Sequence, residues 1–260
     1  EPLFYIFFAV MFLAYPIAEK RVYGLIWNER EKARLDVFLK MRAYNFAVAS
    51  YSGEAFLALW ARKTLNMPKR QIFSTIKDSN ILSALASNSF TILLLMALVF
   101  SDQLHVITDE NADFEYYLAL AFLVGVVLVP IVILFRRHLI SIEPALGHTV
   151  FLTHLCRQII VLAAQVAMWA VAVPEAPFSA WLLLLTAQMV LTRIPFLPNT
   201  DLLLAGLGIT LMGQLGAPEG KLAGMFFATG VLGQVCNLAA FVISSVREPL
   251  RARQSSPENA

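Results

Sequence analysis

The feature that most constrains this chain is a series of long apolar stretches with very little charge inside them. They lie at roughly 2–18, 81–101, 116–135, 150–173, 178–194 and 219–246. Each approaches or exceeds the about 17–25 residues that a helix needs to cross about 30 Å of hydrocarbon. The chain is 58% hydrophobic and 15% charged, against about 45–50% and about 25% for an ordinary soluble domain, and its mean hydropathy is +0.68. One core cannot enclose that surplus, so much of it must face lipid. In lipid every backbone N–H and C=O has to be paired internally, which leaves helices or closed barrels. Long continuous apolar runs, unlike short alternating segments, select helices. The expected fold is all-α: a polytopic membrane helix bundle of about six spanning helices forming one integral membrane domain over 1–260, with a polar tail at 247–260. The start at Glu1-Pro2 reads as trimmed, and Leu3–Ala18 has neither a basic leader nor a small-residue cleavage site, so it is expected to be a membrane helix.

The net charge of +2 matters less than where the charges fall. Residues 19–42 carry Lys20, Arg21, Arg30, Lys32, Arg34, Lys40 and Arg42, and 61–77 add Arg62, Lys63, Lys69, Arg70 and Lys77. The segment 102–115 holds Asp102, Asp109, Glu110, Asp113 and Glu115 with no Lys or Arg; Arg136-Arg137 follow in 136–149, and 174–177 has no basic residue. The positive-inside rule then places 19–80 and 136–149 in the cytoplasm and 102–115 and 174–177 outside. Arg247, Arg251 and Arg253 suggest a cytoplasmic tail, which requires 195–217 to cross, whereas a re-entrant segment there would leave the tail outside. Both readings stand at this level.

Two apolar stretches, about 43–60 and 199–216, are interrupted. In the first, Ser50–Gly53 breaks the run; Ser52 is expected to cap a helix beginning at Gly53, with Glu54 in its first turn, where a carboxylate suits the helix dipole. In the second, Pro195 and Pro198 stop the preceding helix, Asn199 or Thr200 caps the next, and Asp201 takes the position of Glu54. Each break leads through a short apolar helix and a Pro-containing turn into a long helix, an approximate internal repeat with halves 1–135 and 136–260. Interrupted segments at matching places in two halves point to a substrate site in transporter folds, because half-helix ends offer unpaired backbone groups at membrane depth. The plainer alternative is a pair of amphipathic helices lying at the cytoplasmic interface.

The run Ser52-Gly53-Glu54, then Arg62-Lys63, Pro68-Lys69-Arg70 and Ile76-Lys77-Asp78-Ser79-Asn80, with the late break Pro195-Phe196-Leu197-Pro198-Asn199-Thr200-Asp201, resembles the transmembrane region of the lysylphosphatidylglycerol synthase/flippase family. The resemblance covers nearly the whole chain; Asn199 and Thr200 stand where that family has glycines, and Asp201 where it has Glu. It implies moving or presenting a lipid across the inner membrane. Some members fuse this region to an aminoacyl-transferase domain, and no such domain is contained in these 260 residues.

Ionisable groups within a span cost about 2.5–3.5 kcal/mol at the helix centre and usually face a cavity or a partner. Arg157 lies in the 150–173 span beside His154 and Gln158, either at a site or snorkelling to the head groups. Arg193 ends its span eight residues before Asp201, either pairing with it, receiving a lipid phosphate, or serving as a positive-inside anchor. The expected lipid-binding set is therefore Glu54 and Asp201 at helix starts, with Arg62, Arg157 and Arg193 as head-group contacts. Gln165, Gln188, Gln234 and Asn237 read chiefly as interhelical hydrogen-bonding groups, and Gly220-x-x-x-Gly224 and Gly206-x-Gly208 as packing sites. Cys156 and Cys236 read as small buried residues. No metal spacing, P-loop, nucleophile elbow or dinucleotide fingerprint is present, so no cofactor and no catalytic residue are expected. The basic segment 19–42, mixed with acids beside a span, reads as a contact for anionic lipid and not for nucleic acid. The expected partners are membrane lipids, anionic or phosphate-bearing; a non-catalytic subunit of a homo- or hetero-oligomeric membrane complex is the competing reading.

Overall fold

The computed structural model describes residues 1–48, 51–100, 123, 126–127, 129–192, 204–206, 208–209 and 219–254. The described elements are helices: α1 (Pro2–Ile26), α2 (Leu35–Ala47), α3 (Ser52–Thr64), α4 (Lys69–Phe100), the single turn α5 (Arg136–Leu139), α6 (Pro144–Ala172), α7 (Phe178–Leu191) and α8 (Glu219–Gln254). Four of them contain stretches long and apolar enough to cross a membrane: Pro2–Ile26, Lys69–Ala97, Pro144–Ala172 and Gly220–Val246. The expected 178–194 span is the shorter α7, Phe178–Leu191, about 21 Å at 1.5 Å per residue. Half of the expected 116–135 span and most of the 199–216 segment lie outside the described residues.

Helix boundaries depart from expectation where charge was taken for loop. α1 does not stop at residue 18; it runs on through Pro16 to Ile26, so Glu19, Lys20 and Arg21 are helical. Asn28, in the left-handed region at φ 53°, reverses the chain after Trp27. Likewise α4 begins at Lys69, inside the expected cytoplasmic loop.

The break near residue 50 is real, and its chemistry differs from the expected cap. Tyr51 occupies the N-cap of α3 with φ 69° and no side-chain cap bond. Ser52 instead sits in the first turn and donates its hydroxyl to the Tyr44 carbonyl at 2.7 Å. Gly53 is where α2 and α3 come closest: its N–H donates to Asn45 Oδ1 at 2.7 Å, and a Cβ there would lie 2.2 Å from the Met41 carbonyl oxygen. Only glycine leaves that approach open. Glu54 falls in the first turn of α3, and Arg62 and Lys63 in its last, the arrangement the dipole favours.

Among the described residues two large apolar cores organise the bundle, with a small cluster of Val22, Leu82 and Val150 joining α1, α4 and α6. One joins Phe4, Phe8 and Phe12 of α1 to Leu162, Met168 and Trp169 of α6, Trp181 and Leu184 of α7, and Leu222 and Met225 of α8. The other joins Tyr23 of α1 and the adjoining Trp27 to Phe38 and Met41 of α2, Leu57 and Ala61 of α3, and Ile72 and Ile76 of α4. Outside them, large apolar side chains such as Ile6, Val10 and Ile17 on α1 and Phe227, Val231 and Leu238 on α8 are exposed. That is the arrangement expected of lipid-facing surface.

The contacts also orient the helices. Asp78 of α4 accepts from the backbone N–H groups of Ser141 (2.7 Å) and Ile142 (3.0 Å), and Lys77 donates to the Leu139 carbonyl at 2.6 Å. The basic segments 61–77 and 136–149 therefore share one end of the bundle. At the other end Lys221, in the first turn of α8, is ion-paired with Glu175. α8 ends near the basic end, where Ser244 lines a groove of about 370 Å³ with Lys32, Arg34 and Lys40. The C-terminal part of α8 thus lies at the end of the bundle that carries the basic segments. α7 runs toward that end too, Gln188 accepting from Gln165 at 2.6 Å and Met189 lying 3.8 Å from Gln158. Thr192 and Glu219, the described residues flanking 193–218, accordingly sit at different levels.

Candidate functional site: a charged layer between two cores

Where the two cores part, each neighbouring helix contributes a polar side chain. On α1 the i, i+4 pair Tyr15 and Glu19 lies between the phenylalanines of one core and Tyr23 of the other. On α6, His154 and Arg157 lie between Val150 and Leu162; on α4, Ser79 and Ser83 lie between Ile76 and Leu94. Three-to-four-residue spacing puts each pair on one helix face.

The centre of the layer is an ion pair. Arg157 Nη1 donates to Glu19 Oε1 at 2.8 Å, and Nη2 donates to Ser83 Oγ at 2.9 Å. The guanidinium carbon is 5.1 Å from the Tyr15 ring centroid. His154 Nδ1 lies 3.9 Å from the same Glu19 oxygen, and its Nε2 is 3.2 Å from Ser79 Oγ. Glu19 is 4% exposed, Arg157 9% and His154 0%. Charges this far from water persist only when paired.

Two further charged side chains, Arg42 and Glu54, border this pair. Arg42 of α2 holds its guanidinium 4.4 Å from the Phe12 ring and 6.0 Å from the Tyr15 ring. Burial pulls its pKa below the ordinary arginine value, partly opposed by the nearby Tyr15 and Cys236. Glu54 of α3 is within electrostatic range of Glu19 and Tyr15. Among the described residues, neither buried Arg42 Nε nor buried Glu54 Oε2 has a hydrogen-bond partner. Tyr23 Oη and His154 Nδ1 of the same layer are likewise buried without a hydrogen-bond partner among the described residues.

The five expected binding residues separate. Glu54 and Arg157 both lie within electrostatic range of Glu19. Arg62 does not: it is exposed in the last turn of α3, about 12 Å along the helix from Glu54. Arg193 and Asp201 lie outside the described residues. Glu19, Tyr15, Arg42, Ser79 and Ser83 were not expected. The signal available for Glu19 was its helical register with Tyr15 and Tyr23, masked by the adjacent Lys20-Arg21. The expected burial of Cys156 is corrected, since its side chain is exposed on α6, and Cys236 is half-buried. Among the described residues a Cβ at Gly220 or Gly224 would meet nothing within 4 Å, so no packing partner for that expected site is seen there. Gly208 does pack, 2.9 Å from the Phe226 ring by the same measure. Gln165 and Gln188 bond across helices, while Asn237 donates to Gly233 of its own helix. Among the described residues no three His, Cys, Asp or Glu side chains converge as metal ligands.

No protein-family model, curated protein or solved structure matches the chain.

Proposed function

We propose that this chain handles the head group of an anionic or phosphate-bearing lipid in a bacterial-type inner membrane, in the manner of a flippase, with the charged layer as the place where the head group is held. The observation that carries this reading is the unequal satisfaction of two arginines that both face the Tyr15 ring. Arg157 is neutralised by Glu19, while Arg42 keeps an unbonded Nε and Glu54 an unbonded Oε2, both within electrostatic range of Tyr15. A guanidinium matches phosphate oxygens two at a time, and Glu54 suits the amine or hydroxyls of a head group. The broken α2–α3 pair is read as a re-entrant hairpin, with 199–216 as its counterpart in the second half and Arg193 and Asp201 as its contributions to the site. The basic end is read as cytoplasmic, by the positive-inside rule.

The test is photo-crosslinking with an anionic phospholipid carrying the reactive group on its head. Adducts on 42–54 and 154–157 support the reading, and adducts confined to the exposed faces of α1 and α8 refute it. The competing reading, a non-catalytic subunit, draws on the open space over Gly220, Gly224, Gly230 and Gly233. It predicts co-purification with a fixed partner and no adduct in the layer.

A further inference from the structure

The outer surface of α1 gathers positive charge that the buried layer does not use. Val22 packs with Leu82 and Val150, and Trp27 donates to Thr75 at 2.9 Å, which sets this part of α1 at the basic end of the bundle. Asn28, in the left-handed region, turns the chain back after Trp27. The returning segment lies against bare backbone: a Cβ at Gly24 would stand 3.5 Å from Arg30 Cα and 3.6 Å from Ala33 Cβ. The return brings Arg30 to Lys20 and Arg21, and with Ile17, Gly24 and Leu25 these three line a groove of about 420 Å³ that no carboxylate enters. All three cations are exposed, and among the described residues none of their side chains has an ion pair or hydrogen bond. The groove at Ser244 is unlike it: there Lys32 and Arg34 are paired with Glu29 and Asp36, and Glu31 and Asp36 enter the lining.

An apolar stripe leads into the basic groove. Ile6, Val10, Leu13 and Ile17 are all exposed, and their spacing puts them on one side of α1. From Ile6 to Ile17 the helix rises about 16 Å, close to half of the about 30 Å hydrocarbon thickness of a bilayer. Apolar surface one leaflet deep, ending in three unpaired cations, fits an amphiphile with a negative head. A soluble anion would leave the stripe bare, and a zwitterionic lipid would bring no net charge to the groove. We propose that Lys20, Arg21 and Arg30 bind the phosphate of one anionic phospholipid whose acyl chains lie along the Ile6–Ile17 stripe, a site on the lipid-facing surface separate from the charged layer. Two guanidinium forks match phosphate oxygens, and basic pockets near helix ends hold anionic head groups. The lipid stays in its own leaflet, so this site does not depend on the head-group handling proposed above.

The experiment uses the full chain in detergent micelles and an anionic phospholipid that carries a photoreactive group on its head and keeps its phosphodiester. Adducts mapped by peptide should fall on 17–30. Unlabelled dioleoyl-phosphatidylglycerol should compete them away, whereas dioleoyl-phosphatidylcholine or inorganic phosphate at the same concentration should not. Arg30→Gln should weaken the apparent affinity about fivefold and Lys20→Gln/Arg21→Gln/Arg30→Gln about hundredfold. Lys63→Gln/Lys69→Gln/Arg70→Gln, which removes as many exposed charges from the same end, should keep the adducts. Melting temperatures should match the wild type; if the first triple variant melts early, Arg30→Gln, which lies outside α1, carries the test. Equal competition by phosphatidylcholine or inorganic phosphate, undiminished 17–30 adducts in the Arg30 variants, or equal loss in the control triple would overturn the proposal. Adducts on 17–30 with none on 42–54 and 154–157 would uphold this site and refute the head-group reading, and the reverse pattern would do the opposite.

Discussion

Arg157 and Glu19, 138 positions apart in the chain, meet at 2.8 Å inside the bundle, on facing surfaces of α6 and α1. This pair ties α1 to α6 between the two large apolar cores, close to the small cluster of Val22, Leu82 and Val150.

Removing one member leaves the other charged, buried and alone. Arg157→Gln or Glu19→Leu should therefore destabilise the protein by about 3–5 kcal/mol. The double variant should recover a large part of that loss, since no uncompensated charge remains. Thermal unfolding of the four proteins in one detergent gives the cycle, and equal, additive losses would mean that the pair is not coupled.

At Gly53 the α2–α3 crossing is closed by backbone contact, not by side chains. Gly53→Ala should cost about 1–3 kcal/mol or more, because the new methyl collides with the Met41 carbonyl. Gly224→Ala, whose methyl meets nothing, should be neutral or stabilising by up to about 1 kcal/mol. Melting temperatures of the two variants decide it; similar effects at both positions would contradict the geometry.

Asp78 is a buried anchor for the loop that enters α6. Asp78→Ala strips the acceptor from the Ser141 and Ile142 amides and should cost about 1–3 kcal/mol. Hydrogen exchange should quicken at 139–147 before it changes in the middle of α6. Unaltered exchange there would show that the loop is held by other means.

How far the sequence carried the fold can be judged from such residues. The apolar runs announced the helices, and the small-residue break before Glu54 marked the α2–α3 junction, because both are local signals. Glu19 was illegible for a local reason: beside Lys20 and Arg21 it looks like the start of a loop, and only the packing of α1 on α6 reveals that it faces inward. The exposed position of Cys156 was equally hidden, since an apolar helix in lipid has apolar residues on all sides and its periodicity no longer distinguishes core from surface. The tail was ambiguous in sequence because the charge rule and a re-entrant 199–216 disagreed. The Lys221–Glu175 pair and the groove at Ser244 place the end of α8 with the basic segments.

That placement is itself testable. Single cysteines at Arg62 and Ser245, each in a background with Cys156 and Cys236 replaced, should react with a membrane-impermeant thiol reagent from the same side, and one at Glu175 from the opposite side. Labelling of Ser245 and Glu175 from one side would contradict the helix directions.

The central claim concerns movement of a charged head group through the layer, and transbilayer transfer measures it most directly. In proteoliposomes holding a head-group-labelled phosphatidylglycerol, the wild-type chain should expose inner-leaflet label to an impermeant quencher many times faster than protein-free vesicles. Glu54→Ala with Arg157→Gln should bring the rate down to the protein-free level, while Arg62→Gln should keep it. Wild-type rates equal to empty vesicles, or undiminished rates in the double variant whose fold is shown intact by circular dichroism, would contradict the account.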